Sequence, residues 1–366
     1  MIREKLNKAD QNPFLRLKGM NLFFPVVLGL GVVAWFFIRE FEPGVFYHLQ
    51  FSSKTFFFIL VAFVCMMMRD WGYMIRLRIL CNGQLSWWQI FRIIMLWEFT
   101  SAVTPSAVGG TSIAILYVAK EGISLGRSSA IVMATSFLDE LYFVLMFPLL
   151  LLLVDSQNLF TVEMAAGEYA VARELVYFAV IGYLLKLGYV ILVSYGLFYN
   201  PRGLKWLLLQ IFRIPFLRRW RHEINDLGTD LKISSDELKT KSFRFWLQAF
   251  GSTFFSWTAR YWVVNSILLA FFLIPDFKDH FMIFVRQFFM WIMQLVSPTP
   301  GGSGFAELIF TRYLGEYIPG NSTTTGFLAI SIAFMWRLIS YYPYLVMGAI
   351  ILPRWLKEKF SSSGLI

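Results

Sequence analysis

Long apolar runs separated by short polar segments form the main pattern of this sequence. A helix needs about 20 mostly apolar residues to cross a hydrocarbon core of about 30 Å, at a rise of about 1.5 Å per residue. Six runs meet or approach that length, and we predict that each spans a membrane. They lie at about 21–38, 55–75, 128–154, 173–199, 243–274 and 324–352.

Two further apolar runs, at 87–103 and 281–296, are shorter, and each ends in a cluster of proline and glycine. The first meets the segment TPSAVGGT at 104–111, and the second meets SPTPGGSGFAE at 297–307. Proline removes a backbone N–H and disfavours the helical region for the residue before it, and each glycine costs about 1 kcal/mol in a helix interior. The second run would cover only about 24 Å before its break. The sequence therefore predicts two helix breaks at membrane depth.

The two broken segments are predicted to be re-entrant helical hairpins. Irregular backbone at membrane depth is tolerated only inside protein or beside a wet cavity. Helices should restart after the breaks, reaching Ala119 in the first segment and covering 305–314 in the second. The free N–H groups and positive dipole end of such a helix suit an anion, for example a lipid phosphate. The alternative is that all eight helices simply span.

The distribution of lysine and arginine assigns the loops to the two sides of the membrane. If the two broken segments are re-entrant hairpins, the inner segments carry 22 Lys and Arg, and the outer segments carry three, Arg39, Lys54 and Lys278. The inner segments are 1–20, 76–86, 120–127, 200–244 and 353–360. Because positive residues accumulate on the cytoplasmic side, both termini are predicted to be cytoplasmic, in a bacterial inner membrane. The hairpin around Pro105 then enters from the cytoplasm, and the one around Pro300 enters from outside.

This arrangement makes the chain one integral membrane domain of two inverted repeats. Weak sequence echoes agree, since the triplet at 69–71, Arg-Asp-Trp, resembles Arg-Tyr-Trp at 260–262, and Arg92 and Arg286 precede their breaks by 13 and 14 residues. Interrupted helices at corresponding positions of two halves point to a transport site. Within 1–366 the predicted parts are a cytoplasmic N-terminal segment at 1–20, a first repeat at 21–154, a second repeat at 173–352 that includes an amphipathic cytoplasmic segment at 200–242, and a cytoplasmic tail at 353–366.

Composition supports the membrane assignment. The chain is 57% hydrophobic and 19% aromatic, with a mean hydropathy of +0.60, far more apolar than a soluble globular protein. The net charge of +10 is explained by the inner loops, so no nucleic-acid partner is expected. Cys65 and Cys81 lie about 24 Å apart at helical rise and cannot bridge each other. The three histidines are dispersed, and no metal site or cofactor is expected.

The broken segments and the last span resemble the transmembrane region of lysylphosphatidylglycerol synthases, the flippase-like membrane domain of multiple peptide resistance factors and many uncharacterised relatives. The resemblance covers about 20–352 and implies a membrane domain that moves lipids. It is carried by Thr104-Pro105-x-x-x-Gly109-Gly110, by Pro298-x-Pro300-Gly301-Gly302-x-Gly304-x-x-Glu307, and by Arg337, Tyr341 and Pro343.

The sequence departs from the family pattern in three places. Many relatives carry an acid after the first-hairpin glycine and an arginine three residues on, where this chain has Gly110 and Ile113. A Glu-Arg pair frequent in the next span is replaced by Asp139-Glu140. Only 353–366 follow the last span, without the soluble domain that attaches lysine, so lysyl-lipid synthesis is not expected.

Ionisable groups inside spans are the candidates for function, because each costs about 2.5–3.5 kcal/mol on insertion. Arg260 and Arg337 could grip a phosphate through the planar fork that lysine lacks. They could instead pair with acids and only hold the bundle together. Asp139 and Glu140 could carry protons as a desolvated pair. The acids available for pairing are Glu98, Asp139, Glu140 and Glu307, whereas Arg69 and Arg92 are expected to snorkel to the inner interface.

We therefore expect an all-α polytopic membrane protein of six transmembrane helices and two re-entrant hairpins, which hydropathy alone would count as seven or eight helices. Its expected function is to move a phospholipid or lipid-linked anion between leaflets of the lipid bilayer. The alternatives are a membrane-embedded transferase or hydrolase acting on a lipid phosphate, with Asp139, Glu140 or Glu307 as base, and a non-catalytic envelope scaffold. No catalytic signature is found, and the sequence leaves a homo-oligomer open. The expected substrate-binding residues are Glu98, Pro105, Gly109, Gly110, Thr111, Asp139, Glu140, Arg260, Thr299, Pro300, Gly301, Gly302, Ser303, Gly304, Glu307 and Arg337.

Overall fold

Helices make up nearly all of the described chain. The computed structural model describes residues 51–103, 107–155, 159–163, 169–171, 173–200, 203, 235–272, 274, 276–294, 305–318 and 322–361. The helices are α1 Ser53–Leu80, α2 Trp87–Val103, α3 Ala107–Lys120, α4 Leu125–Leu153, α5 Arg173–Ser194, α6 Phe243–Phe271, α7 Phe277–Gln294, α8 Phe305–Leu314, α9 Ser322–Ser340 and α10 Tyr342–Ser361. A π-helical turn, Tyr195–Tyr199, extends α5. A short antiparallel hairpin between α4 and α5, with strands β1 Thr161–Glu163 and β2 Tyr169–Val171, pairs Thr161 with Val171.

Four helical stretches within the described ranges are long and apolar enough to cross a membrane. They are Ser53–Leu80, Leu125–Leu153, Val176–Tyr199 and Leu328–Lys359, which correspond to four of the six predicted spans. Helix α6, with 29 residues, covers a fifth predicted span but is not among these four. The structure therefore confirms an all-α membrane protein, and the arrangement of six spans with two re-entrant hairpins stays a prediction. The predicted segment 1–20, the span at 21–38 and most of the cytoplasmic segment at 200–242 lie outside the described residues.

The last predicted span is two helices rather than one. Helix α9 ends at Ser340, and α10 begins at Tyr342. The interruption lies just before Pro343, whose ring disfavours the helical region for the preceding residue and whose nitrogen cannot donate to the helix ladder. Helix α10 accommodates Pro353 and continues to Ser361, so the helix extends past the predicted end of the span at 352.

Helices α2 and α3 form an antiparallel pair. At its open end, Gln89 Nε2 donates to a Glu121 carboxylate oxygen at 3.1 Å, just beyond the last residue of α3. Near the other end, a Cβ on Gly110 would lie 2.1 Å from Ser101 Oγ, so glycine permits the close approach of the two helices. The predicted break at 104–111 is too long, because α3 begins at Ala107 and contains Gly109 and Gly110. Residues 104–106 lie outside the description.

Helices α7 and α8 form a second antiparallel pair. The predicted restart at 305–314 is confirmed by α8, Phe305–Leu314. Arg286 in α7 donates to the Tyr313 carbonyl at 2.7 Å and pairs with Glu316 at 2.8 Å, which places the end of α8 beside α7. The connecting segment at 295–304 is not described.

Each antiparallel pair carries an arginine–glutamate clamp at the same relative place. Arg92 in α2 pairs with Glu121, just after α3, at 2.9 Å. Arg286 in α7 pairs with Glu316, just after α8, at 2.8 Å. In both cases the arginine of the first helix reaches the acid that follows the second helix. This correspondence extends the sequence echo between the two halves to side-chain contacts.

Helices α1 and α6 run antiparallel in close contact. Thr55 Oγ1 donates to the Ala270 carbonyl at 3.0 Å, and Ser256 Oγ donates to the Arg69 carbonyl at 3.0 Å. A Cβ on Gly72 would lie 2.2 Å from Ser256 Oγ and 2.9 Å from the carbonyl oxygen of the preceding turn of α6. The missing side chain therefore sets how closely the two helices approach.

Enlarging Gly72 should separate α1 from α6. We expect Gly72→Leu to lower stability by about 1–3 kcal/mol, the usual cost of overpacking, measured as thermal unfolding in detergent. Gly251→Leu is the matched control on α6, because no atom lies within 4 Å of a Cβ built there. Equal melting temperatures for the two variants would contradict the close packing.

Candidate functional site

Arg69 in α1 lies at the centre of a buried charge cluster. Its side chain is 1% exposed and donates to Asp70 at 2.8 Å and to Glu98 of α2 at 2.6 Å. The Tyr344 hydroxyl of α10 donates to both oxygens of Asp70 at 2.9 Å, and the Tyr73 ring lies 4.4 Å from the guanidinium carbon. The expectation that Arg69 snorkels to the interface is wrong, because two carboxylates stabilise it in the interior. Glu98, an expected substrate-binding residue, is a partner of this arginine.

Asp139 and Glu140 of α4 do not act as a carboxylate pair. Arg76 of α1 donates to the two Asp139 oxygens at 2.5 and 3.1 Å, and Trp257 Nε1 of α6 donates to the same carboxylate at 2.7 Å. Glu140 accepts instead from Lys186 Nζ of α5 at 2.6 Å. Consecutive residues of a helix point in different directions, so each acid meets a cation on a different helix. The prediction that Asp139 and Glu140 form a desolvated, proton-carrying pair is therefore wrong.

Arg260 of α6 differs from four other arginines of the bundle, Arg69, Arg76, Arg92 and Arg286. Its guanidinium carbon lies 4.2 Å from the Trp291 ring and 5.5 Å from the Trp257 ring. No carboxylate among the described residues lies within 4 Å of it, whereas Arg69, Arg76, Arg92 and Arg286 each have at least one. Arg260 is thus held by aromatic faces rather than by an acid.

A small cavity adjoins Arg260. It holds about 20 Å³ of water-accessible space, enough for about one water. Its walls come from α6, α7, α8 and α9, so both members of the second helical pair contribute. The lining residues are Arg260, Tyr261, Val264, Gln287, Met290, Trp291, Phe310 and Trp336.

Arg337 belongs to α9, and its neighbours in sequence contact both antiparallel helix pairs. Its side chain is buried, and its guanidinium carbon lies 4.9 Å from the Tyr341 ring. The neighbouring Trp336 stacks on Phe310 of α8 at 5.6 Å. The Tyr341 hydroxyl donates to the Ala102 carbonyl at 3.0 Å, next to the break that follows α2. Residues on either side of Arg337 therefore contact both helix pairs.

The remaining expected site residues fall into three groups. Gly109, Gly110 and Thr111 lie in the first turns of α3. Glu307 belongs to α8, but its side chain is outside the described part. Seven others lie wholly outside the described residues: Pro105, Thr299, Pro300, Gly301, Gly302, Ser303 and Gly304.

Three residues of the charge clusters were missed by sequence reasoning. Arg76 was assigned to an inner loop, because the apolar run ends near residue 75, whereas α1 continues to Leu80. Lys186 was detectable as a lone cation inside an apolar run. Tyr344 gave no signal, since tyrosines are abundant here and most serve packing or the interface.

The comparisons with known proteins agree with the membrane architecture. The chain matches the family described as lysylphosphatidylglycerol synthase TM region over residues 22–348. It is also similar to a UPF0104 membrane protein of Archaeoglobus fulgidus, with 22% identity over 308 residues, covering 80% of this chain and 84% of that protein. No solved structure matches the chain significantly.

Removing the charge of Asp139 should destabilise the bundle, because Arg76 is only 3% exposed. We expect Asp139→Asn to cost about 2–3 kcal/mol, less than the roughly 3–5 kcal/mol of a fully buried pair, since Asp139 is 22% exposed. The matched control is Asp236→Asn, which removes an exposed pair with Lys239 at 3.4 Å and should change stability by less than about 1 kcal/mol. Denaturation in detergent measures both, and equal losses would refute a structural role for the Arg76–Asp139 pair.

Proposed function

Because the chain belongs to the lysylphosphatidylglycerol synthase transmembrane region family, we propose that it moves a phospholipid or lipid-linked anion between the leaflets of the membrane. The family match places the chain among lipid-related membrane domains. To this we add a transport step, the site at which it occurs and the chemical class of the transported lipid. We place that site at Arg260 and include Arg337, which follows Trp336 of the adjoining cavity wall in sequence.

Among the described residues no acid lies beside Arg260, and this observation carries the proposal. Of the two arginines that echo each other in the two halves, Arg69 binds two carboxylates, and Arg260 has none within 4 Å among the described residues. A guanidinium in a medium of low dielectric constant is penalised unless an anion comes to it. The planar fork of arginine fits a phosphate through two hydrogen bonds. A lipid phosphate supplies the missing negative charge.

The two antiparallel helix pairs offer a path for the negative headgroup of the lipid. In the proposed topology they are re-entrant hairpins that enter from opposite sides of an inner membrane, with both chain termini cytoplasmic. The positive ends of α3 and α8 then follow the two breaks and favour a negative headgroup. The acyl tails stay in the hydrocarbon while the headgroup passes beside Arg260 and Arg337. Transport is passive or driven by the proton gradient.

A membrane-embedded transferase or hydrolase has less support. Its proposed bases include Asp139 and Glu140, but each of these carboxylates is held by a cation at 2.5 to 2.6 Å. A carboxylate engaged in this way is poorly placed to accept a substrate proton. A non-catalytic envelope scaffold would give no reason for an arginine that has no acid partner among the residues the structure describes.

Replacing Arg260 tests the proposal. In proteoliposomes, transport is measured with a fluorescent phosphatidylglycerol analogue that is bleached from outside by a membrane-impermeant reductant. Arg260→Lys keeps the charge but loses the fork, so we expect the rate to fall severalfold with an unchanged melting temperature. Arg260→Gln should reduce it further.

The control for this test is Arg354→Lys, an exposed arginine near the end of α10, which should leave transport intact. If Arg260→Lys transports the analogue as fast as the unsubstituted protein, Arg260 does not bind the phosphate. If it loses transport together with thermal stability, its role is structural.

A further inference from the structure

A second and larger cavity lies between α4, α5 and α6, away from Arg260. It holds about 490 Å³, within the usual range of ligand pockets. Along α6 it involves the first turns, and about 15 Å of helix separates Phe250 from Arg260. We call it the α4–α6 groove. Its lining residues are Phe137, Leu138, Leu141, Phe198, Lys239, Lys241, Phe243, Trp246, Leu247 and Phe250.

The floor and walls of the α4–α6 groove are apolar and largely aromatic. Phe137 and Leu138 of α4 are buried at its floor. Edge-on ring contacts connect Phe137 to Phe198 at 5.6 Å and Phe198 to Trp246 at 5.0 Å. Leu247, on the flank, is 55% exposed. Because α4 and the stretch Val176–Tyr199 are long and apolar enough to cross a membrane, we expect this flank to open toward hydrocarbon. The groove therefore suits an acyl chain.

Two lysines line the same groove near the start of α6. Lys239 and Lys241 pair with Asp236 and Glu237, each at the long distance of 3.4 Å. Glu237 is shared, because Arg127 also reaches it at 3.3 Å. Long pairs of this kind at an exposed site are weak, and one carboxylate cannot neutralise two cations. The lysines can therefore exchange their partners for another anion.

From these two properties we infer that the α4–α6 groove binds an anionic phospholipid, with an acyl chain along the aromatic wall and the phosphate at Lys239 and Lys241. An amphiphile uses both halves of the cavity, whereas a free phosphate would use only the lysines. Lysines beside an apolar surface are a common way to hold an anionic headgroup at a membrane face. The excess of lysine and arginine in the predicted inner segments assigns this end of α6 to the inner leaflet. The inference concerns lipid binding at a separate site and does not rest on the proposed transport.

Lipid binding to the detergent-purified protein tests the inference directly. Native mass spectrometry counts the bound lipids after addition of phosphatidylglycerol or of phosphatidylcholine with the same acyl chains. In the Lys239→Gln/Lys241→Gln variant, we expect binding of phosphatidylglycerol to fall about tenfold or more, since each lysine near an anionic lipid contributes a factor of about five. Binding of phosphatidylcholine, which has no net charge, should change little.

A charge-matched control is Arg354→Gln/Lys357→Gln, which removes two exposed cations at the end of α10 and should leave phosphatidylglycerol binding intact. Retained binding in the Lys239/Lys241 variant would overturn the inference. So would an equal loss of both lipids, because the lysines would then not select the anion.

Filling the α4–α6 groove tests the acyl-chain half of the inference. Leu247→Trp should reduce binding of both lipids severalfold, because the larger ring occupies the space beside Trp246. Leu184→Trp is the control, at a leucine of similar exposure on α5 that does not line the cavity, 57% against 55%. Equal binding by the two variants would show that the acyl chain lies elsewhere.

Discussion

The cost of placing charge in a medium without water governs the interior of this bundle. A buried arginine that loses its acid is strongly destabilising, so the position of each acid is fixed by the arginine it must reach. Arg69 connects α1 to α2 through Glu98, and Arg76 connects α1 to α4 through Asp139. Glu121 draws together α2 and α10, because Arg92 pairs with it at 2.9 Å and Trp355 donates to it at 2.9 Å. The helices are therefore ordered by charge pairing as well as by apolar packing.

The two halves of the chain differ in how their arginines are paired with acids. Both keep a clamp between an arginine and a glutamate, Arg92 with Glu121 and Arg286 with Glu316. At the centre, however, the aspartate that follows Arg69 is replaced by Tyr261 after Arg260. The second half thus keeps the arginine and lacks the acid. In the proposed account, Arg260, which has no acid within 4 Å among the described residues, is the place for an external anion.

Helix positions were predictable because they depend on local sequence. The apolar run of α4 gave that helix within three residues of its observed bounds, and the proline and glycine cluster before α8 gave its start. The match at 22–348 confirms the family. Side-chain partners were not predictable, because they depend on which helices meet in space. Asp139 and Glu140 looked like a pair in sequence, yet they contact α1 and α5 respectively. Arg76 was assigned to a loop only because its charge ended the apolar run.

The central claim is that this membrane domain transfers a lipid between leaflets without changing it. The most direct measurement follows one anionic phospholipid in proteoliposomes that contain the unsubstituted protein, with leaflet exposure and lipid mass read from the same sample. The account predicts exchange faster than in protein-free vesicles and a lipid of unchanged mass. Exchange no faster than in protein-free vesicles, or a lipid with an altered headgroup, would contradict it.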